Sequence, residues 1–299
     1  MKYTHKKKIS SKKRRATRRN TSKICVACEG VSIDKIVKTN NNIVSSWLKE
    51  TDYIRNFIEK TPIRKVSQSH VNLEVPINLG KQNAHKYILF FAATPGRFNK
   101  IKSSKLAYGD FRNYGVNQLD ANGKTKLKFK CPQCYSDDDG RDKLPETFYR
   151  HVHFCLSNKN HTNWSQNLYT KIVICKLSYQ KTMSLHHRRN IVFINTLPHE
   201  YYAKEHIPHS FNLPVSDIKH KSRKELEEWF KEVIKNNYPK LHKQIQAKQL
   251  HYYEVPIVTY CAHDKCSASY DGAIELLKKR FVNVSEFSGG MKEYKQHKN

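Results

Sequence analysis

Val255-Pro256-Ile257-Val258-Thr259-Tyr260-Cys261 is an apolar, β-branched run that stops on a cysteine, and Ala262-His263-Asp264-Lys265-Cys266-Ser267-Ala268-Ser269 is the polar loop after it. A short run of that composition predicts a buried strand. Ser269 suits the N-cap of a helix carrying Ala273, Ile274, Leu276 and Leu277. Strand, loop and helix in that order place Cys261 at the carboxyl end of a parallel strand, where the sites of open α/β sheets lie. Loop amides and the helix dipole there favour negative charge, which predicts a Cys261 thiol of lowered pKa and a stabilised persulfide or oxyanion. The competing reading of Cys261 is a small core residue at a strand end.

Working outward, residues 171–177 and 191–195 are further short apolar runs, and residues 222–236, 239–248 and 269–280 have helical spacing. Alternating strands and helices predict an α/β domain whose parallel sheet carries helices on both faces. Upstream the pattern changes. Val71, Leu73, Val75, Ile77 and Leu79 alternate, residues 87–92 form a compact apolar run, and Asn122-Gly123 is a hairpin signal followed by alternating Leu127 and Phe129. A mainly β domain is the expectation there, preceded by helical spacing of Val44, Trp47, Leu48, Ile54, Phe57 and Ile58. Polar residues accumulate at 163–167, which sets the expected organisation as a disordered basic tail over 1–23, a mainly β domain over 24–165 and the α/β domain over 166–299.

Residues 191–214 hold an apolar strand, the helix start Glu200-Tyr201, then His206-Ile207-Pro208 and Asn212-Leu213-Pro214. Downstream come the Cys261 loop, a helix, Phe281-Val282-Asn283-Val284, and Ser288-Gly289-Gly290-Met291 with Tyr294. In that order, from about Leu168 onward, these pieces resemble a rhodanese (sulfurtransferase) domain. The resemblance implies that Cys261 carries sulfur as a persulfide, taken from a sulfane-sulfur donor and passed to a thiophilic acceptor, with no cofactor required for catalysis. It also implies that the double glycine approaches the active-site loop. Asn195, Leu197 and Glu205 depart from the Asp, Arg and Gly usual in the family, which favours the alternative of a catalytically silent interaction or regulatory module. The position six residues after the cysteine is Ser267, not the Arg that phosphatase relatives use to hold a phosphate dianion, so phosphate-ester chemistry is disfavoured. Cys266 lies five residues after Cys261, close enough to resolve a persulfide, against the simpler reading of a loop residue without chemistry. His263 and Lys265 could contact an anionic donor or be solvated loop residues, and Asp264 opposes anion binding.

Cys131-Pro132-Gln133-Cys134 and His151-Val152-His153-Phe154-Cys155 have zinc-site spacing, with Cys131, Cys134, His151 and Cys155 as the candidate ligands. That set needs a helix to bring His151 and Cys155 together; a strand instead puts Tyr149, His151, His153 and Cys155 on one face. The competing reading is a polar stripe of a β-sandwich with reduced thiols. Cys25 and Cys28 are a second pair without a partner pair nearby. The eight cysteines of a chain read as intracellular are expected to be reduced rather than paired in disulfides.

The chain has 55 Lys and Arg against 26 Asp and Glu, a net charge of +29 that attracts anionic partners of any kind. Residues 1–23 carry 11 of those bases and no acid. Such a tail binds nucleic acid non-specifically, directs nuclear entry or keeps the protein soluble. It lacks the apolar core of a secretory signal, and no later run has the ~18 apolar residues that cross a bilayer, so a soluble cytoplasmic or nuclear protein without a membrane partner is expected. The segment around Tyr108-Gly109-Asp110 to Cys134, with the His151 motif, resembles a β-rich domain of large DNA virus proteins, and the Lys- and Asn-rich composition agrees with a viral protein acting in a host cell.

Overall fold

The computed structural model describes residues 35–38, 52–137 and 146–298. The basic segment 1–23, the Cys25/Cys28 pair, and Val44, Trp47 and Leu48 lie outside the described residues. Ile54, Phe57 and Ile58 fall on the helix Tyr53–Lys60, as their spacing predicts.

The first half is a β-sandwich. The strand Leu73–Asn78 alternates buried and exposed along its whole length, because Leu73, Val75 and Ile77 share one side of the pleat. It pairs antiparallel with Lys124–Phe129. Facing it is a five-stranded sheet in the order Val37–Lys38, Tyr169–Ile172, His151–Leu156, Tyr87–Ala92, Tyr114–Gln118. Leu127 and Phe129 from one sheet meet Ile88, Phe90, Val152 and Phe154 from the other in a common core. The Asn122-Gly123 turn forms, with Gly123 at φ +72° and its amide on the Asp120 carbonyl at 2.9 Å. It does not close a hairpin. The strands on either side of it pair in different sheets, so the turn crosses the sandwich.

The second half is the α/β unit. Cys175–Lys176, Val284–Phe287, Ile257–Tyr260, Val192–Asn195 and Phe211–Asn212 lie side by side in that order, each pairing parallel. The expected first strand, 171–177, is therefore divided: Ile172 closes the sandwich sheet and Cys175 opens the parallel one, a few residues beyond the boundary expected at 163–167. Strand alternation sorts the core. Val192, Ile194, Ile257 and Val284 point to the side covered by the helices Val215–His220, Arg223–Asn237, Pro239–Gln246 and Ala268–Lys278. Phe193, Val258, Tyr260 and Phe287 point to the other, under Tyr179–His187 and Gly290–Lys298. The helix Arg223–Asn237 begins with a full capping box, Ser222 and Glu225 each bonding the other's backbone amide.

Asn283 ties the halves together. Its Nδ2 donates to the Phe98 carbonyl at 2.6 Å and the Glu254 carbonyl at 2.9 Å, while its Oδ1 accepts from Arg150 at 2.5 Å. A second tie is covalent: Cys131 and Cys175 form a disulfide, with Cα atoms 5.7 Å apart. Reduced thiols were the expectation, and this pair corrects it. Among the described residues no helix is long and apolar enough to cross a membrane.

Candidate active site

Cys261 follows the strand Ile257–Tyr260 directly, at its carboxyl end. Both neighbouring strands, Val192–Asn195 and Val284–Phe287, run parallel to it, so three strand ends frame the site. Tyr260, pointing to the opposite face, fixes the segment that holds the His206-Ile207-Pro208 motif. Its hydroxyl accepts the Ile207 amide at 3.0 Å and bonds Ser210 Oγ at 2.7 Å.

The last helix grips the loop backbone. Its first amides donate to the loop, Met291 to the Cys261 carbonyl at 3.0 Å and Lys292 to the Ala262 carbonyl at 2.9 Å. Gly290 makes that approach possible: it has φ +57°, and a Cβ placed there would stand 2.2 Å from the Cys261 oxygen. The double glycine therefore lies against the loop, as the resemblance implies.

The sulfur itself is in polar but closed surroundings. The Cys261 thiol is placed to donate to Ser269 Oγ at 3.2 Å and to the Cys266 carbonyl at 3.3 Å, with the His263 carbonyl at 3.8 Å. Ser269 passes a hydrogen bond on, its Oγ lying 2.8 Å from Glu286 Oε1. Glu286 is buried at the end of the neighbouring strand and pairs with Lys176 at 4.0 Å. The order Cys261, Ser269, Glu286 is a continuous donor-to-acceptor chain leading away from the sulfur.

Two expectations are corrected here. Ser269 is not the N-cap: the helix is Ala268–Lys278, its N-cap is Ser267, and Ser267 Oγ bonds Asp271 at 2.8 Å. One residue inside the helix, Ser269 is wholly buried and free to serve Cys261 instead. The Cys261 thiol is also not lowered in pKa. Burial, and after it the neighbouring Cys266 side chain, push it up to about 11, against a smaller downward pull from the Ser269 hydroxyl and amide. Carbonyl oxygens rather than amide hydrogens face much of the sulfur, which favours the protonated form.

An acid whose pKa is raised ionises only as the pH climbs. At neutral pH, iodoacetamide should therefore modify the half-buried Cys266 before the wholly buried Cys261, and the rate at Cys261 should rise about tenfold per pH unit from 7 to 9. Peptide mapping of alkylated protein reads both; a Cys261 rate that levels off near neutral pH would contradict the geometry.

His263, Asp264, Lys265 and Ser267 are solvent-exposed on the loop, Ala262, Cys266 and Ala268 are half-buried, and Ser269 is under them. Asn195 stands where the resemblance expects an acid, and its Oδ1 accepts the Leu197 amide at 2.9 Å, a local turn in place of an ion pair. A cavity of about 330 Å³ opens between the two halves, beside Arg97, Gln133, Cys134, Arg150 and Lys181. None of the loop residues 262–269 lines it.

The expected zinc ligands do not converge. Cys131 is in the disulfide, Cys134 donates to the Val282 carbonyl at 3.3 Å, and Cys155 sits in an apolar cluster with Leu89 and Val116, where burial raises its thiol to about 12. Residues 151–156 form a strand and not a helix, so His151 pairs with His153 rather than with the cysteine loop. Among the described residues no three of His, Cys, Asp and Glu are placed to hold a metal ion. Sequence reading placed Ser269 in the loop but as a helix cap rather than as the thiol's partner, and it missed Glu286 behind it and the covalent partner of Cys131, both distant in sequence.

Residues 178–297 match the family model described as Rhodanese-like domain. Among solved structures the chain is similar to a human single-domain sulfurtransferase, at 14% identity over 40% of this chain and 95% of that one, with a TM-score of 0.28. It is similar to a single-domain sulfurtransferase of Saccharomyces cerevisiae at 13% identity, over 42% and 91% of the chains, TM-score 0.30. A protein from Bacillus halodurans is similar at 18% identity, over 42% and 73%, TM-score 0.29. No curated protein matches. The family match begins at residue 178, and the likeness of the preceding β-rich segment to a viral domain has no support from it.

Proposed function

With residues 178–297 forming a rhodanese-like domain, we propose that this protein is a sulfurtransferase in which Cys261 carries the sulfur. The Cys261 thiolate attacks the sulfane sulfur of a donor such as thiosulfate; a cysteine–sulfur bond forms, the donor's sulfur–sulfur bond breaks, and sulfite leaves with the electron pair. A thiophilic acceptor, cyanide or a thiolate, then attacks the outer sulfur and returns Cys261 to the thiolate. The thiol proton has a path prepared for it. Ser269 Oγ accepts it as its own proton moves toward Glu286, which gives the buried thiol a route by which its proton can leave. The carrying observation is the position of Cys261 at the end of a parallel strand, hydrogen-bonded to Ser269. The exposed loop above it must shift to admit a donor. No metal enters the scheme, and the donor chemistry names no physiological partner.

Thiosulfate:cyanide turnover tests this. Cys261→Ser should abolish it, Ser269→Ala should slow it at least tenfold by removing the proton path, and Cys266→Ser should retain it. Turnover surviving in Cys261→Ser would sink the proposal.

A second reading is favoured by the complete burial of Cys261 and by Asn195 and Leu197: a silent rhodanese-fold interaction module, held to nucleic acid by residues 1–23. Absence of turnover in the wild-type chain, together with salt-sensitive DNA binding lost on deleting residues 1–23, would select it.

A further inference from the structure

The sandwich contains a knot of polar atoms that sulfur transfer does not use. His151 and His153 stand side by side on the strand His151–Leu156 with their Nε2 atoms 3.0 Å apart. Tyr135 at the start of the strand Tyr135–Asp137, and Tyr108 at the end of the helix Ser104–Tyr108, aim their hydroxyls at the same point, 3.0 and 3.2 Å from His151 Nε2. The hydroxyls are 3.3 Å from each other. All four side chains are buried, with Phe91, Ala107, Phe111 and Phe148 around them in the apolar core.

More groups converge on His151 than its one free lone pair can serve. His151 Nδ1 lies 2.7 Å from the Tyr149 carbonyl, which can only accept, so Nδ1 carries the proton and the neutral ring has one bare lone pair at Nε2. Three groups crowd that lone pair: two phenols and the second imidazole. One hydrogen bond satisfies it. On the far side, His153 Nδ1 is 2.8 Å from Thr170 Oγ1, a partner that can hold the proton there and bare the second Nε2 as well.

The spacing has a simpler explanation. Four donors held 2.0–2.1 Å from one ion at the corners of a tetrahedron are about 3.3 Å from each other. Four of the six edges of that figure, the three from His151 Nε2 and the one between the two hydroxyls, measure 3.0 to 3.3 Å, close to that length. Each imidazole is also oriented through its other nitrogen, one by a carbonyl and one by a hydroxyl, as metal-bound histidines are. We propose that Tyr108, Tyr135, His151 and His153 form a mononuclear transition-metal site with two nitrogen and two oxygen donors. The chemistry of the donors points to ferric iron. Imidazole suits several first-row ions, whereas two buried phenols become ligands only when a strongly Lewis-acidic cation displaces their protons, and a hard, trivalent ion does so best. Binding releases two phenolic protons and leaves the buried centre with a net charge of +1. No cysteine takes part, which separates this site from the zinc arrangement that spacing suggested. It is also independent of Cys261.

The full-length chain, treated with ferric citrate and desalted, should retain about one iron per molecule and acquire a visible phenolate-to-iron charge-transfer band. Tyr108→Phe and Tyr135→Phe, which keep the ring volume, should each weaken that band, and the double variant should lose it; His153→Gln should lower iron retention at least tenfold. Circular dichroism of each variant checks its fold, and Cys261→Ser should bind iron unchanged. Wild-type protein that retains no iron, or retains it without the band, overturns the assignment, as does a band that survives in the folded double tyrosine variant. Zinc retained in place of iron, with no band on ferric loading, also overturns it.

Discussion

Gly290→Ala should destabilise the second half by about 3–4 kcal/mol and abolish sulfur transfer, although glycine has no side chain to offer the reaction. The new methyl would lie 2.2 Å from the Cys261 oxygen and 2.9 Å from the backbone carbons of Cys261 and Ala262, all of them main-chain atoms that cannot rotate away. Left-handed backbone at φ +57° adds about 1–2 kcal/mol for any L-residue. Relief requires the helix Gly290–Lys298 to retreat, and with it go the Met291 and Lys292 hydrogen bonds that hold the loop, each contributing about 1 kcal/mol. Gly109→Ala is the control. It also has positive φ, at +49°, but nothing lies within 4 Å of its would-be Cβ, so it should cost only about 1 kcal/mol and leave turnover intact. Urea titration of both variants measures the difference. Equal losses would show that backbone conformation, rather than the contact with Cys261, is what Gly290 supplies.

Reducing the Cys131–Cys175 disulfide should lower stability by about 4 kcal/mol, the loop-closure entropy expected for a sequence separation of 44 residues. The bond clips the chain just after the strand Lys124–Phe129 to the first strand of the parallel sheet, so its loss frees the junction of the two halves in the unfolded chain while the native contacts of Asn283 and Arg150 remain. The urea midpoint with and without dithiothreitol reads this directly, and the Cys131→Ser/Cys175→Ser pair should reproduce the reduced value. A midpoint indifferent to reductant would show that the two sulfurs are not bonded in solution. Because a reductant also strips a persulfide, sulfur-transfer assays belong with the double variant rather than with added thiol.

Much of the fold is legible in residue order. The alternation of Leu73, Val75 and Ile77, the apolar run over residues 87–92, and the helical spacing over residues 222–236 each report a local preference that tertiary structure left in place. The place of Cys261 at a strand end is legible for the same reason: a β-branched strand ending on a cysteine before a polar loop is local information. What failed was non-local. Asn122-Gly123 specifies a turn but not which strands will pair, and those beside it joined different sheets. Ser269 has the composition of an N-cap, yet the cap lies two residues earlier, at Ser267, and the helix turns the Ser269 hydroxyl inward to the sulfur. The predicted acidity of Cys261 assumed amides pointing at the sulfur, whereas the loop turns the carbonyls of Cys266 and His263 that way. C-x-x-C spacing drew attention to Cys131 and Cys134, while the actual partner of Cys131 lies in the next sheet. Tyr108, Tyr135 and His153 carry no joint signal in sequence, because a helix end and two strands bring them together.

The most direct measurement is the mass of the intact chain after incubation with thiosulfate and removal of the donor. A single added sulfur, mapped to the peptide containing Cys261, discharged by cyanide and absent from Cys261→Ser, is the expected result. An unchanged mass in the wild-type chain, or a sulfur that stays in place when Cys261 is replaced, would contradict the assignment of this thiol as the carrier.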